Sequence, residues 1–386
     1  MARPPRPMGS IVDSGLMQGG PEAGALAQEV EIMEPQNFEG GAEIIPDAEG
    51  GAIVQAIAEA TGMDIDEMIE HDSNLAEYLD EEVLKDISND LRGSFEDDLE
   101  SRDEWEETYT KGLDLLGVQS TERSVPFEGA SGVTHPLIAE SVTQFQSQAY
   151  KELLPSGGPV KTKVLGLSNQ ETESQAARVK NFMNYLILEK MEEFDPDMDQ
   201  MLFYLPLAGS TFKKTYYDDT MGRAVSKFVP AENLVVPYET SDLDTCPNIT
   251  QIFKMSLNDL RKKQIAGFYR DIDVIPAQAD LSSVSEELNK IEGLEPSQID
   301  YDCTLLECHV DLDLEGYEEI DEDGEPTGIK IPYVVTISED NGQVLSIRRN
   351  YLEEDELKKK IQYFTHFKFF PGFGVYGLGL DRKCVV

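Results

Sequence analysis

The hydrophobic period of the chain changes at Gly209, within residues 197–229, which read DMDQMLFYLPLAGSTFKKTYYDDTMGRAVSKFV. Before this glycine, apolar residues recur with the spacing of one helix face, at Met198, Met201, Leu202 and Leu205. After it, apolar and polar residues alternate in two runs, 212–217 and 224–229, with turn residues between them. The stretch therefore predicts a helix followed by an antiparallel hairpin.

Helical periodicity dominates before this switch, and alternation dominates after it. Long amphipathic helices are predicted over 93–116, 138–153 and 170–193, and a short strand over 160–165. Two further hairpins are predicted within 302–349, one turning at 321–324 and one at the Asn341-Gly342 pair. The expected fold class is α+β, with long amphipathic helices packed on antiparallel β-hairpins.

The composition excludes several classes of protein. The 386 residues include 75 acidic and 32 basic residues, for a net charge of −43. A protein that coats DNA or is drawn to anionic lipid needs clustered Lys and Arg, so both classes are disfavoured. Four cysteines are too few for a disulfide scaffold, which favours a reducing compartment. No run of 18 apolar residues occurs, so no membrane segment is expected.

The acidic residues are concentrated near the N-terminus. Residues 1–110 contain 29 acidic and 5 basic residues. Residues 1–50 are rich in Gly, Pro, Ala and Glu, which predicts a disordered acidic tail. Residues 51–92 carry helical spacing and are expected to form an acidic helical segment. This region is either a solvated spacer or a surface that binds a basic partner, and the spacer is the more common case.

The sequence contains no recognised catalytic motif. Neither a GxSxG elbow nor a phosphate-binding glycine loop is present. Cys303 and Cys308 lie five residues apart in an alternating run, so they should point to opposite faces of a strand and cannot share a metal ion. The acidic turn at 321–324 lacks the spacing of a calcium loop. The chain is therefore predicted to be a structural or assembly protein without a cofactor or metal, and not an enzyme.

The most distinctive stretch is RSVPFEGASGVTHP, residues 123–136. Its prolines and glycines restrict it to an irregular backbone that leads into the helix predicted over 138–153. We interpret it as a structural or subunit-contact loop, and the alternative is a loop packed on its own domain. The candidate residues are Arg123, Pro126, Phe127, Gly129, Gly132, His135 and Pro136.

Four segments, taken in order, resemble the portal proteins of short-tailed bacteriophages. The first runs from RSVPFEGAS (123–131) through THPLIAE (134–140) to Pro159-Val160. The others are GSTFKK (209–214), VPAENL (229–234) and HFKFFPGFGVYGLG (366–379). The resemblance covers roughly residues 95–380, and its specificity lies in the order and spacing of the four segments.

The resemblance implies a subunit of a dodecameric ring at one capsid vertex, located in the virion and, during assembly, in the host cytoplasm. The packaging motor (the terminase large subunit) would dock on the ring, and tail adaptors would later replace it. Major capsid and scaffolding proteins would be further partners. Double-stranded DNA would pass through the channel without sequence-specific binding. The portal itself would hydrolyse nothing.

By the same resemblance, 93–210 would be the helical part of the wing and 211–380 its part rich in hairpins. Residues 381–386 match nothing in the family, and we expect the chain to be only the N-terminal part of a portal. Two other classes stay open: a non-viral acidic adaptor or scaffold that binds a basic partner, and an enzyme whose site forms only on assembly.

Overall fold

The computed structural model describes residues 70–116, 136–166, 168–218, 221–274, 283–293, 302–314, 316–319, 326–372 and 374–380. The chain divides into a unit at Met1–Ile45 and a larger unit at Pro46–Val386, and all described residues belong to the larger unit. The tail predicted over 1–50, most of the loop at 123–136, the turn at 321–324 and residues 381–386 lie outside the described residues.

Seven α-helices lie in the described part of the chain. They are α1 (Glu81–Ser101), α2 (Asp103–Leu115), α3 (Leu137–Leu153), α4 (Gln170–Tyr185), α5 (Phe194–Ala208), α6 (Leu257–Ile265) and α7 (Ser283–Glu292). A π-helical turn, Leu186–Lys190, extends α4, and short 3₁₀ turns lie at Leu75–Glu77 and Ala231–Asn233. None of the described helices combines the length and the apolar character that crossing a bilayer requires.

The strands form two antiparallel sheets. The three-stranded sheet has the order β2-β1-β8, where β1 is Ser210–Asp218, β2 is Arg223–Pro230 and β8 is Phe364–Lys368. The five-stranded sheet has the order β3-β4-β5-β6-β7. Its strands are Leu234–Val235, Asn248–Ser256, Asp302–Leu312, Ile331–Ser338 and Val344–Arg349. The α+β class and the antiparallel hairpins are confirmed.

Each sheet packs against helices on its apolar side. Helices α2, α3 and α5 meet the three-stranded sheet in a core that contains Trp105, Val142 and Phe212. Helix α1 covers one face of the five-stranded sheet, where Leu84 and Phe95 lie in the same core cluster as Val335 and Ile337. The described globular body therefore begins before residue 93, because Leu75 and Leu84 already belong to its core.

Several predicted elements differ from the structure. The helix predicted over 93–116 is two helices, α1 and α2, which meet at Arg102. The helix predicted over 170–193 ends as an α-helix at Tyr185. The strand predicted over 160–165 is wrong, because these residues are irregular. The side chain of Asn184, rather than a neighbouring strand, binds the backbone N–H and C=O of Val160 at 2.9 and 3.2 Å.

Candidate functional site

A buried arginine, Arg102, lies where α1 ends and α2 begins, with only 1% of its surface exposed. Its Nη1 donates to the carbonyl oxygens of Ala231 and Leu234, both at 3.2 Å. Its Nη2 donates to the carbonyl oxygen of Glu232 at 2.8 Å. The guanidinium thus donates hydrogen bonds to three carbonyl oxygens of the turn 231–234. Without these bonds, the burial of the three oxygens would cost free energy.

Two aromatic side chains enclose this guanidinium. The hydroxyl of Tyr376 accepts from Arg102 Nη1 at 3.2 Å and donates to the carbonyl of Leu234 at 2.8 Å. The ring of Tyr376 stacks on Trp105 with 4.6 Å between ring centres, and the Trp105 Nε1–H donates to the carbonyl of Ala208 at 3.0 Å. Arg102, Trp105, Tyr376 and the turn 231–234 are called the arginine junction below.

Two carboxyl groups share the single cation of the arginine junction. Glu106 forms an ion pair with Arg102 Nη2 at 2.8 Å. Burial raises the pKa of Glu232 from its ordinary 4.5 to about 7, and the attraction of Arg102 offsets this only in part, while Glu106 raises the pKa further. The junction therefore holds a carboxyl group that titrates close to neutral pH.

The chain crosses itself closely beside the junction, where Gly209 meets Gly377. Gly209 has φ of 76°, and a Cβ at this position would overlap the carbonyl oxygen of Gly377. The Ser210 hydroxyl accepts from the Gly377 N–H at 2.7 Å and also bonds His366 Nε2 at 2.9 Å. Burial lowers the pKa of His366 to about 3, so this histidine is neutral at physiological pH.

The structure brings three of the four family-like segments together. Segment 209–214 begins at the glycine crossing, segment 229–234 contains the turn held by Arg102, and segment 366–379 supplies both His366 and Tyr376. Arg102, which lies outside these segments, contacts Tyr376 although 274 residues separate the two in the chain. The spatial cluster was not predicted from the sequence, since the buried role of Arg102 has no local signature.

Pro136 is the one candidate loop residue that the structure describes. It is exposed and directly precedes α3, whose Ile138 and Val142 enter the core. Arg123, Pro126, Phe127, Gly129, Gly132 and His135 lie outside the described residues. Their assignment as a structural or subunit-contact loop stays a prediction.

A second polar cluster joins the two sheets. Lys214 on β1 donates to Glu307 Oε1 on β5 at 2.5 Å and to Gln251 Oε1 on β4 at 2.9 Å. His309 Nε2 lies 2.7 Å from the same Glu307 oxygen. Although burial acts to raise it, Lys214 and His309 hold the pKa of Glu307 well below its ordinary value. Burial lowers the pKa of His309, so the neutral ring donates its Nε2–H to the carboxylate.

This second cluster was missed because nothing in the local sequence shows that Glu307 and His309 meet Lys214, which is 93 residues from Glu307 in the chain. They face the three-stranded sheet instead of water. The contacts form an internally neutral link between the two sheets. The prediction for the cysteines is confirmed: Cys303 and Cys308 lie in different core clusters, on opposite faces of β5.

The described residues offer little to a metal ion or small ligand. Within the described ranges, no group of three or more His, Cys, Asp or Glu side chains is placed to hold a metal ion. A surface pocket of about 250 Å³ lies between α6 and residues 271–274, where Arg261 and Asp271 pair with each other.

No protein-family model matches the chain. No curated protein matches it either.

Proposed function

We propose that this chain is a subunit of a viral portal and contributes the wing region of a ring at one capsid vertex. The observation that carries the proposal is the arginine junction. Three segments that resemble the portal family in their order also pack against one another, held by Arg102, Tyr376 and the glycine crossing. This shared packing supports the proposal because the three segments form one structural unit, as the resemblance implies.

The junction suits a mechanical role. The buried cation of Arg102 bonds the turn 231–234 and Tyr376 of the C-terminal described segment. Trp105 on α2 stacks on Tyr376 and bonds the end of α5. The members of such a buried network constrain one another, so a change at one member disturbs the others. A portal wing must keep its shape while the terminase large subunit, capsid and scaffolding proteins, and later the tail adaptor, dock on the ring.

The charge of the chain suits a conduit for DNA. Duplex DNA carries one phosphate for each ~1.7 Å of its axis, so a basic bore would hold it by counterion release. An acidic bore would instead repel the phosphates and leave DNA free to slide without sequence-specific binding, and a net charge of −43 per subunit is compatible with such a bore. In this role the protein needs no cofactor and performs no hydrolysis.

Native mass spectrometry and electron microscopy of the purified chain test this function. We expect closed rings of many 43.1 kDa subunits, with twelve as the number that the family resemblance implies. A chain that stays monomeric over the whole accessible concentration range would contradict the proposal. The assembled rings should show no ATPase or nuclease activity. Turnover in either assay would favour an enzyme whose active site forms only on assembly.

The acidic adaptor is the second candidate, and the outer face of α1 favours it. This helix of 21 residues contains eight acidic and two basic residues, most of them exposed. Such a face could bind a basic partner by charge attraction. In native mass spectra, an adaptor would remain a small species and would form a larger complex only after a basic protein is added. A portal subunit would form rings by itself.

A further inference from the structure

Helix α4 exposes an apolar stripe. Val179, Phe182 and Met183 follow the i, i+3, i+4 spacing of one helix face, and their side chains are 54, 62 and 37% exposed. Of the seven helices in the described ranges, α4 alone has no buried residue. A helix with an apolar face normally buries it, so this stripe is suited to contact another molecule.

Contacts with the preceding segment hold α4 in place without covering the stripe. Thr162 Oγ1 donates to the carbonyl of Ala176 at 3.0 Å, and Asn184 binds both backbone groups of Val160. A capping box of Asn169 and Thr172 fixes the beginning of the helix. The stripe is therefore presented on a fixed helix.

The segment that carries the stripe departs from the acidic character of the rest of the chain. Residues 159–190 contain five basic and three acidic residues, and Arg178 and Lys180 directly flank Val179. Helix α1 has the opposite character, with eight acidic and two basic residues. The two surfaces complement each other in charge, which favours a second copy of the chain as the partner.

A glycine on α1 marks where the stripe would dock. Gly93 lies on the exposed face of α1, surrounded by the exposed residues Asn89, Asp90, Glu96 and Asp97. A Cβ at Gly93 would meet no atom within 4 Å, so the fold of the single chain does not require a glycine here. Glycine is among the least favourable residues inside a helix, and a close approach by another chain would explain its use.

We propose that the α4 stripe of one copy packs across Gly93 on α1 of the next copy, with Arg178 and Lys180 against the acidic residues that flank Gly93. The contact joins two different surfaces and is therefore head-to-tail, the type that generates closed rings. The inference rests on the proposed ring function and names the surfaces that would build the ring.

The first test uses two variants, one on each side of the contact. Phe182→Glu should weaken association by about thirtyfold, as loss of a central aromatic residue does, and leave monomer melting unchanged. Gly93→Gln should also block association, yet raise monomer Tm by about 2 °C because a glycine leaves the helix interior. Ile265→Ser on α6, where Ile265 is 76% exposed, is the matched control and should change neither property.

The second test mixes the two variants. A Phe182→Glu copy keeps a working α1 surface, and a Gly93→Gln copy keeps a working α4 stripe. A head-to-tail contact therefore predicts one-to-one heterodimers and nothing larger in native mass spectra. If two α4 stripes packed on each other, the Gly93→Gln copies would dimerise alone, which would overturn the proposal.

The outcomes separate this inference from the proposed function. Rings of the unmodified chain that persist in both variants overturn the contact and leave the ring function standing. Small oligomers or open chains that both variants abolish support the contact and count against a ring. A monomeric chain overturns both. A fall in monomer melting for Phe182→Glu would show that the chain's own residues cover the stripe, which also overturns the contact.

Discussion

Replacing Glu232 by glutamine tests the energetics of the arginine junction. The Glu232 side chain is 6% exposed, and its Oε2 has no hydrogen-bond partner among the described residues. Arg102 already forms an ion pair with Glu106, so it cannot fully compensate a second buried carboxylate. Burial accordingly raises the pKa of Glu232 from 4.5 to about 7.

The raised pKa sets the sign and the size of the effect. Below pH 4.5 the carboxyl group is protonated in the folded and the unfolded protein. Between pH 4.5 and pH 7 only the unfolded protein ionises it, which lowers the stability of the fold as the pH rises. Above pH 7 both states are ionised and the loss is complete. At 1.36 kcal/mol for each pKa unit, the loss amounts to about 3 kcal/mol.

The assay is urea unfolding of the unmodified chain and Glu232→Gln at pH 5.5 and pH 8.5, both above the sequence pI of about 4.2. About 2 kcal/mol of the loss falls between these two pH values. Glutamine cannot ionise, so the stability of Glu232→Gln relative to the unmodified chain should rise by that amount. The exposed Glu152→Gln on α3 is the control and should show no such rise. A stability difference for Glu232→Gln that does not depend on pH would refute the reasoning.

Three other predictions concern the junction, the glycine crossing and DNA. Arg102→Met should lower the free energy of unfolding by about 3–5 kcal/mol in urea, because Glu106 and three carbonyl oxygens lose a buried partner, and near-normal stability would contradict the role assigned to Arg102. Gly209→Ala should lower Tm and soluble yield, because alanine disfavours the left-handed backbone and its Cβ overlaps Gly377, and an unchanged Tm would be inconsistent with this crossing. The chain should show no gel shift with duplex DNA at physiological salt, and a shift with a steep salt dependence would point to a basic surface at 261–263.

The periodic elements were predictable because local sequence decides them. The hairpin at Gly209 follows from alternation on both sides of a short turn, and β1 and β2 pair as expected. The hairpin at Asn341-Gly342 follows from turn chemistry, and Gly342 has the positive φ that this turn requires. Where apolar residues recur at regular intervals, the sequence predicted both the strand and the strand that pairs with it.

The errors arise where a distant contact overrides the local pattern. The sequence predicts one helix over 93–116 although its apolar spacing jumps from Leu99 to Trp105, and the helix breaks between them at Arg102, whose side chain reaches the turn at 231–234. Residues 160–165 alternate like a strand, but Asn184 takes the hydrogen bonds of Val160 that a neighbouring strand would need. Neither partner is visible in a local window, so no reading of spacing could have found them.

Several basic side chains lie inside the fold instead of at its surface. Arg102 and Lys214 are committed to buried acids, and Lys213 is buried with its Nζ 3.9 Å from the centre of the Phe194 ring. These cations pair with acids or lie inside the fold, so they contribute no basic patch to a surface that is strongly acidic. Uniformly acidic surfaces repel one another, so copies of this chain can associate only where an exposed surface departs from that charge. Residues 159–190 depart from it and carry an exposed apolar stripe, which is why the contact proposed above joins them to the acidic face of the next copy.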